Sequence, residues 1–189
     1  LVEQVRVLRR LQMTGILRFL EYAPVIHVSV PSNHSQNRVG PQMPASTAHD
    51  DWGIEVQQML VDVFADRDLP NSLEFICPDE HLESVSFLTA DNTNVGFVHG
   101  HRAGQQTGLE RWWAGQALGD QPTALSQILF VGHFHNWNLN SVGNQRYIIT
   151  TPSLDNGSSW FTVARGNVAT AGVLTLRVRD GVPTDQLIV

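Results

Sequence analysis

Five of the eight histidines in this 189-residue chain fall into three tight groups, and each group directly follows a strand-like apolar run. Ser32-Asn33-His34-Ser35 follows Val25–Val30, His99-Gly100-His101 ends the run from Val95, and Gly132-His133-Phe134-His135 follows Gln127–Val131. Layered α/β folds gather ligand sites at the carboxyl ends of strands, where loops converge. Imidazole is the commonest side-chain ligand for transition metals. A His-x-His pair leaving a strand end can aim both rings at neighbouring metals if the backbone turns there, and Gly132 is expected to permit that turn. His27, His49 and His81 stand alone and are given no role.

The rest of the chain agrees with a mixed, layered architecture. Apolar residues Leu1, Val5, Leu8, Leu11, Ile16 and Leu20 recur at helical spacing, and their Leu8, Leu11 and Ile16 face is expected to cover a sheet. Pro24 ends that helix. After the Pro-, Ser-, Asn- and Gly-rich loop from Pro31 to Ala48, a second helix runs from about Asp51 to Ala65, capped by Asp50 or Asp51. Strands are expected at Leu73–Cys77, Val85–Thr89 and Val95–His99, the last two joined as a hairpin by Asp91-Asn92-Thr93-Asn94. A helix around Leu109–Leu118 carries Trp112 and Trp113. Further strands are expected at Gln127–Val131, Tyr147–Thr151, Trp160–Ala164 and Val173–Val178. Helices dominate early and strands late, so the fold class is α/β (α+β), and residues 1–189 read as one domain.

Composition excludes several classes. The chain is 42% hydrophobic and 16% charged, an ordinary globular balance. No apolar run approaches the ~20 residues of a membrane span, and no signal-peptide pattern is present. A net charge of -6 leaves no basic nucleic-acid footprint over the whole surface. Bound cations would change the local field, so a nucleotide or DNA substrate stays open. The single cysteine, Cys77, is expected to be a packed, reduced thiol, which fits a cytoplasmic protein.

Calcineurin-like metallophosphoesterases share five ordered motifs: Asp-x-His, Gly-Asp-x-x-Asp, Gly-Asn-His-Asp/Glu, a lone His often written His-Gly-His, and Gly-His-x-His. This chain resembles the last three, in order, from Ser32 to His135. Its strand-rich tail through about Val178 also resembles members encoded by bacteria and their phages, a nuclease-like branch. The resemblance implies a four-layer α-β-β-α sandwich and two divalent ions, manganese first, with iron, zinc or nickel as alternatives. It implies that Asn33, His99 and His133 hold one ion, that His135 reaches the other, and that His34 is the catalytic proton donor. His101 is read as supporting the ligands or touching the substrate phosphate, and Arg38 and Arg102 as able to pair with phosphate oxygens.

Two departures shape the expectation. Nothing ahead of Ser32 matches the first two motifs, which supply the bridging aspartate and most ligands of the first metal. The chain is therefore expected to be the C-terminal part of such a domain, lacking N-terminal strands, inactive alone and completed by an upstream segment or a second chain. Ser32 stands where the family has Gly, and Ser35 where it has the acid that orients the histidine. A substitute carboxylate is expected, Asp155 being one candidate. The expected function is hydrolysis of a phosphodiester, with Trp137 and Trp160 able to stack a base. The alternatives are a phosphomonoesterase or protein phosphatase, and a non-catalytic metal- or nucleotide-binding remnant.

Overall fold

A computed structural model describes residues 2–40, 43–44, 47–155, 163 and 170–189. The expected strand at Trp160–Ala164, and with it Trp160, lies outside the described residues apart from Val163. The chain forms two compact units, residues 1–83 and 84–189.

In the first unit, α1 (Val2–Leu20) is followed by β1 (Val25–Val28), α2 (Trp52–Phe64) and β4 (Leu73–Ile76). Between β1 and α2 lies a short antiparallel ladder of β2 (Arg38–Val39) and β3 (Met43–Pro44). Strands β1 and β4 pair in parallel, Val25 opposite Leu73 and Val28 opposite Ile76, with α2 in the crossover. Pro24 stops α1 because it restricts Ala23 to extended backbone.

The packed face of α1 differs from the expected one. Ile16 and Leu20 are buried, with Val5, Met13 and Leu17 beside them, against Val56, Leu60 and Phe64 of α2 and Leu73 and Phe75 of β4. Leu8 and Leu11 are instead 38% and 59% exposed. At about 100° per residue, Leu11 and Leu20 stand about 180° apart on the helix, so one face cannot hold both. Fully burying a residue such as Leu60 or Leu20 contributes about 1.5–3 kcal/mol, which is why packing selected the Ile16–Leu20 side.

In the second unit, β5 (Ser84–Leu88), β6 (Asn94–Val98), β7 (Ile128–Val131), β8 (Asn138–Ser141) and β9 (Tyr147–Thr150) form an open mixed sheet in the order β5-β6-β7-β9-β8. The central pairs β6–β7 and β7–β9 are parallel; β5 and β8 are antiparallel edges. The fold class is mixed α+β with a central mixed sheet, as the order of sequence patterns implied. Period-two alternation divides the sheet into two apolar faces. Val98, Leu129, Val131 and Ile148 face α3 (Leu109–Leu118) through Leu109 and Trp113. Val95, Ile128 and Ile149 face Leu174, Leu176 and Val178 of the hairpin β10 (Leu174–Arg179) and β11 (Val182–Ile188). On that second face Phe87, Phe97 and Phe130 stack in a row, with ring centroids 5.8 and 5.0 Å apart.

The expected β5–β6 hairpin is present, and its turn has a second task. Asp91 accepts from the Thr89 hydroxyl at 2.5 Å and from the Asp180 amide at 2.8 Å, while Thr93 Oγ1 accepts from the Gly181 amide at 2.9 Å. The turn thereby holds the tip of the β10–β11 hairpin. Hydrogen bonds to its carboxylate, from Thr89 first and then from the Asp180 amide and Thr93, lower the Asp91 pKa to about 2. Strands β8 and β11 were not expected. The sequence Asn-Leu-Asn-Ser has one apolar residue, and β11 contains Pro183 and shifts register against β10 between Thr175 and Arg177 of that strand. Both exist because a neighbouring strand offers an open edge, which pattern alone does not reveal.

Cys77 is exposed one residue beyond β4, not packed within it. Partial burial of its sulfur and the nearby Asp79 charge raise its pKa. No helix among the described residues is long and apolar enough to cross a membrane.

His27 on β1 sits half-buried beside Phe75, with Nδ1 3.0 Å from Oε1 of the buried Gln57. Burial lowers its pKa below 6.5, and the Gln57 hydrogen bond only partly opposes this. The unfolded chain therefore binds the proton more tightly, so stability is fully present above pH 6.5 and is lost as pH falls below it. Chemical denaturation of wild type and His27→Gln at a series of pH values between 7.5 and about 5 checks this. Wild type is expected to lose more stability than the variant across that interval.

Candidate metal centre

The histidines of the second unit are placed by the β6–β7 register. Val98 is opposite Val131 in a parallel ladder, so the chain leaves the sheet at His99 and Gly132 side by side. The Gly132 amide still donates to the Val98 carbonyl at 3.3 Å. His99 Nε2 and His133 Nδ1 then lie 3.2 Å apart, with ring centroids at 5.0 Å. The His101 ring lies 5.5 Å from His99 and 6.3 Å from His133.

The turn after β7 is not made where expected. Gly132 has no left-handed φ, and the left-handed residues are His133 at φ 67° and His135 at φ 55°. Histidine enters this region more readily than bulkier or β-branched residues, yet two such residues store strain that surrounding contacts must hold. Phe134 is one anchor, turned inward onto the α3 side of the sheet core. A ring of three hydrogen bonds is another. Asn136 Nδ2 donates to Gln106 Oε1 at 2.9 Å, Gln106 Nε2 to Thr150 Oγ1 at 3.3 Å, and Thr150 Oγ1 to Asn136 Oδ1 at 3.2 Å. Thr150 is buried at the end of β9, so the ring ties the residue after His135 to the sheet. No motif pointed to these three residues, which lie far apart in sequence.

Glycine is required at position 100. Its φ is 104°, and a Cβ there would meet Val131 Cγ1 at 2.4 Å and Phe134 Cε2 at 3.3 Å. The close approach lets the His99–His101 segment fold over the end of β7. Arg102 follows, exposed in a 3-10 turn spanning His101–Ala103.

The residues named in the third motif lie in the first unit, in the turn after β1. Asp51 caps α2 through Oδ1, accepting from Gly53 N at 2.7 Å and Ile54 N at 3.3 Å. Its Oδ2 accepts from Ser32 N at 3.0 Å and Ser35 Oγ at 2.7 Å, one on each side of Asn33 and His34. Ser32 Oγ accepts from the amides of His34 at 3.3 Å and Ser35 at 3.1 Å. Arg38 donates through Nη2 to the Asn33 carbonyl. His34 is exposed at the tip of the turn and Asn33 half-buried. The carboxylate that meets Ser35 is thus Asp51. Asp155, in the second unit, bonds through its amide to Ser153 Oγ at 3.0 Å. Trp137 is 43% exposed.

Two nitrogens about 2.1 Å from one ion, at about 90–109° to each other, are about 3.0–3.4 Å apart. The His99–His133 separation of 3.2 Å falls in that interval, so the pair fits two ligands of one ion. Without an ion, one ring can donate a hydrogen bond to the other at the same distance. Among the described residues, no group of three or more His, Cys, Asp or Glu side chains is arranged to hold a metal.

No family model and no curated protein matches the sequence. Solved structures do resemble it. A conserved Streptococcus pneumoniae protein described as a predicted phosphoesterase shares 13% identity over 58% of this chain, at TM-score 0.37, and this chain spans only 57% of that protein. A double mutant of Vps29 from Entamoeba histolytica shares 14% identity over 86% of this chain and 74% of its own, at TM-score 0.45. The wild-type Vps29 of the same organism, complexed with zinc, shares 15% over 83% and 86%, at TM-score 0.40.

Gly100→Ala is expected to destabilise the protein by about 1–3 kcal/mol, from a left-handed φ and from overlap with Val131. Denaturant unfolding measures it, and the fluorescence midpoint should fall while the slope is unchanged.

Proposed function

We propose that this chain is part of a calcineurin-like metallophosphoesterase that hydrolyses a phosphate ester, a phosphodiester first among them. The observation that carries the reading is the 3.2 Å approach of His99 Nε2 and His133 Nδ1 at the ends of adjacent parallel strands. It is the spacing that two ligands of one ion require, and it occurs within two of the three ordered histidine motifs. In this reading the complete domain is the four-layer sandwich, working in the cytoplasm, with an upstream segment or second chain contributing the missing acidic ligands.

His99 and His133 would hold one divalent ion and His135 would reach a second, with manganese first and zinc, iron or nickel as alternatives; Asn33 is assigned to the first ion by the motif resemblance alone. Such ions supply Lewis-acid polarisation of the phosphoryl oxygens. The chain's own residues do the rest. His34, exposed at its turn, would give a proton to the departing ester oxygen, for which an imidazole is suited near neutral pH. Arg102 and His101 would face phosphate oxygens. Arg38 braces the Asn33 carbonyl, so its contribution is to the turn as much as to substrate. Trp137, half-exposed shortly after His135, offers a face on which a nucleotide base can stack, and this supports the nuclease-like form of the proposal.

A second reading has its own support. Two imidazole nitrogens hold a divalent ion weakly, and among the described residues no group of three or more His, Cys, Asp or Glu side chains is arranged to hold one. A metal- or nucleotide-binding module without turnover would need nothing more.

Metal analysis by mass spectrometry, beside hydrolysis of bis(p-nitrophenyl) phosphate with manganese, tests the proposal. His133→Ala is expected to lose bound metal. His34→Ala is expected to keep it while turnover falls roughly 100-fold or more. Bound metal without turnover, even after the upstream segment is supplied, favours the second reading. Loss of metal from His34→Ala would refute the assigned roles.

A further inference from the structure

We propose that Asp51 is a positioning residue: it fastens the turn carrying Asn33 and His34 to the start of α2, and so sets where the His34 imidazole is presented. The proposal rests on the reading of His34 as the proton donor.

The carboxylate is only 3% exposed. A buried carboxylate is tolerated when its oxygens are filled with donors, and here four are present. Two of them, Gly53 N and Ile54 N, belong to an ordinary helix cap. Capping leaves Oδ2 unexplained. That oxygen takes the Ser32 amide at 3.0 Å and the Ser35 hydroxyl at 2.7 Å, bracketing Asn33 and His34. The backbone completes the attachment: Trp52 N donates to Ser35 O at 3.0 Å, and Gln36 bridges to Asp51. Because α2 is seated in the core by Val56 and Leu60, the turn inherits the rigidity of a helix start. A side chain on a loop keeps a productive geometry only when such contacts hold its backbone. The same bonds occupy the amides of Gly53 and Ile54, so these are not offered to a phosphate.

Capping and positioning can be separated. Asp51→Asn still caps, since asparagine serves as well at that position, but an amide turned to keep that cap sets Nδ2 against the Ser32 N–H, a donor facing a donor. Ser35→Ala keeps the cap and the Ser32 amide bond but removes the Ser35 bond to Oδ2, together with the 2.7 Å contact to Ser32 Oγ, and Ser35→Thr restores the hydroxyl. The readouts are backbone order parameters of Asn33 and His34 from 15N relaxation, the thermal midpoint, and kcat and KM on bis(p-nitrophenyl) phosphate with manganese. In Asp51→Asn and Ser35→Ala the order parameters are expected to fall from about 0.85 to below about 0.6. The midpoint should stay within a few degrees, and kcat should drop about tenfold or more at nearly constant KM. Ser35→Thr should return both to wild-type values. Unchanged order parameters in Ser35→Ala overturn the proposal. So does a fall in order with kcat untouched, in a protein whose His34→Ala variant is impaired. The kinetic readouts are taken with the upstream segment supplied; if wild type then hydrolyses nothing, the functional reading fails, and the order parameters alone still decide whether Asp51 holds the turn.

Discussion

Parallel pairing of β6 with β7 is the constraint on which the candidate centre depends. Both strands are apolar on their two faces, so neither can lie at a solvated edge, and burial places them together in mid-sheet. Once Val98 is opposite Val131, the two following segments must emerge at the same end, one strand spacing apart. His99 and His133 meet because of that register. A shift of one residue would turn each side chain to the opposite face of the sheet and separate the rings.

Around this fixed point, the loops are held by devices of different kinds. Gly100 supplies space, Phe134 an apolar anchor, and Asn136, Gln106 and Thr150 a closed hydrogen-bond ring. These contacts offset the left-handed backbone of His133 and His135. In the first unit a single carboxylate, Asp51, does comparable work for Asn33 and His34. Gly100 and Phe134 lie within the histidine motifs, whereas Asn136, Gln106, Thr150 and Asp51 belong to no recognised motif.

Legibility followed the source of each constraint. Helices α2 and α3 and strands β4 to β7 matched their sequence patterns within a residue or two, because local propensity, capping and burial agree there. Strand β8 did not, since Asn138–Ser141 is held by its partner β9 and not by its own residues. The outward placement of Leu8 and Leu11 was missed because α1 carries apolar residues on more than one side, and only contact with α2 and β4 chooses between them. The turn assigned to Gly132 falls on histidines because glycine permits a left-handed backbone without requiring one.

Residue order alone carried the information that strands would end in histidines, that Asp50 or Asp51 would start a helix, and that helices and strands would combine in a layered α+β fold. These features depend on neighbours in the chain, so residue order contains them. Tertiary structure alone decided that His99 and His133 approach within 3.2 Å, that Asp51 reaches Ser32 and Ser35, and that Asn136 closes a ring with Gln106 and Thr150. Each of those contacts joins residues from 14 to 44 positions apart in the chain. They form only after hydrophobic burial has set strand register and helix placement, and no local pattern encodes that outcome.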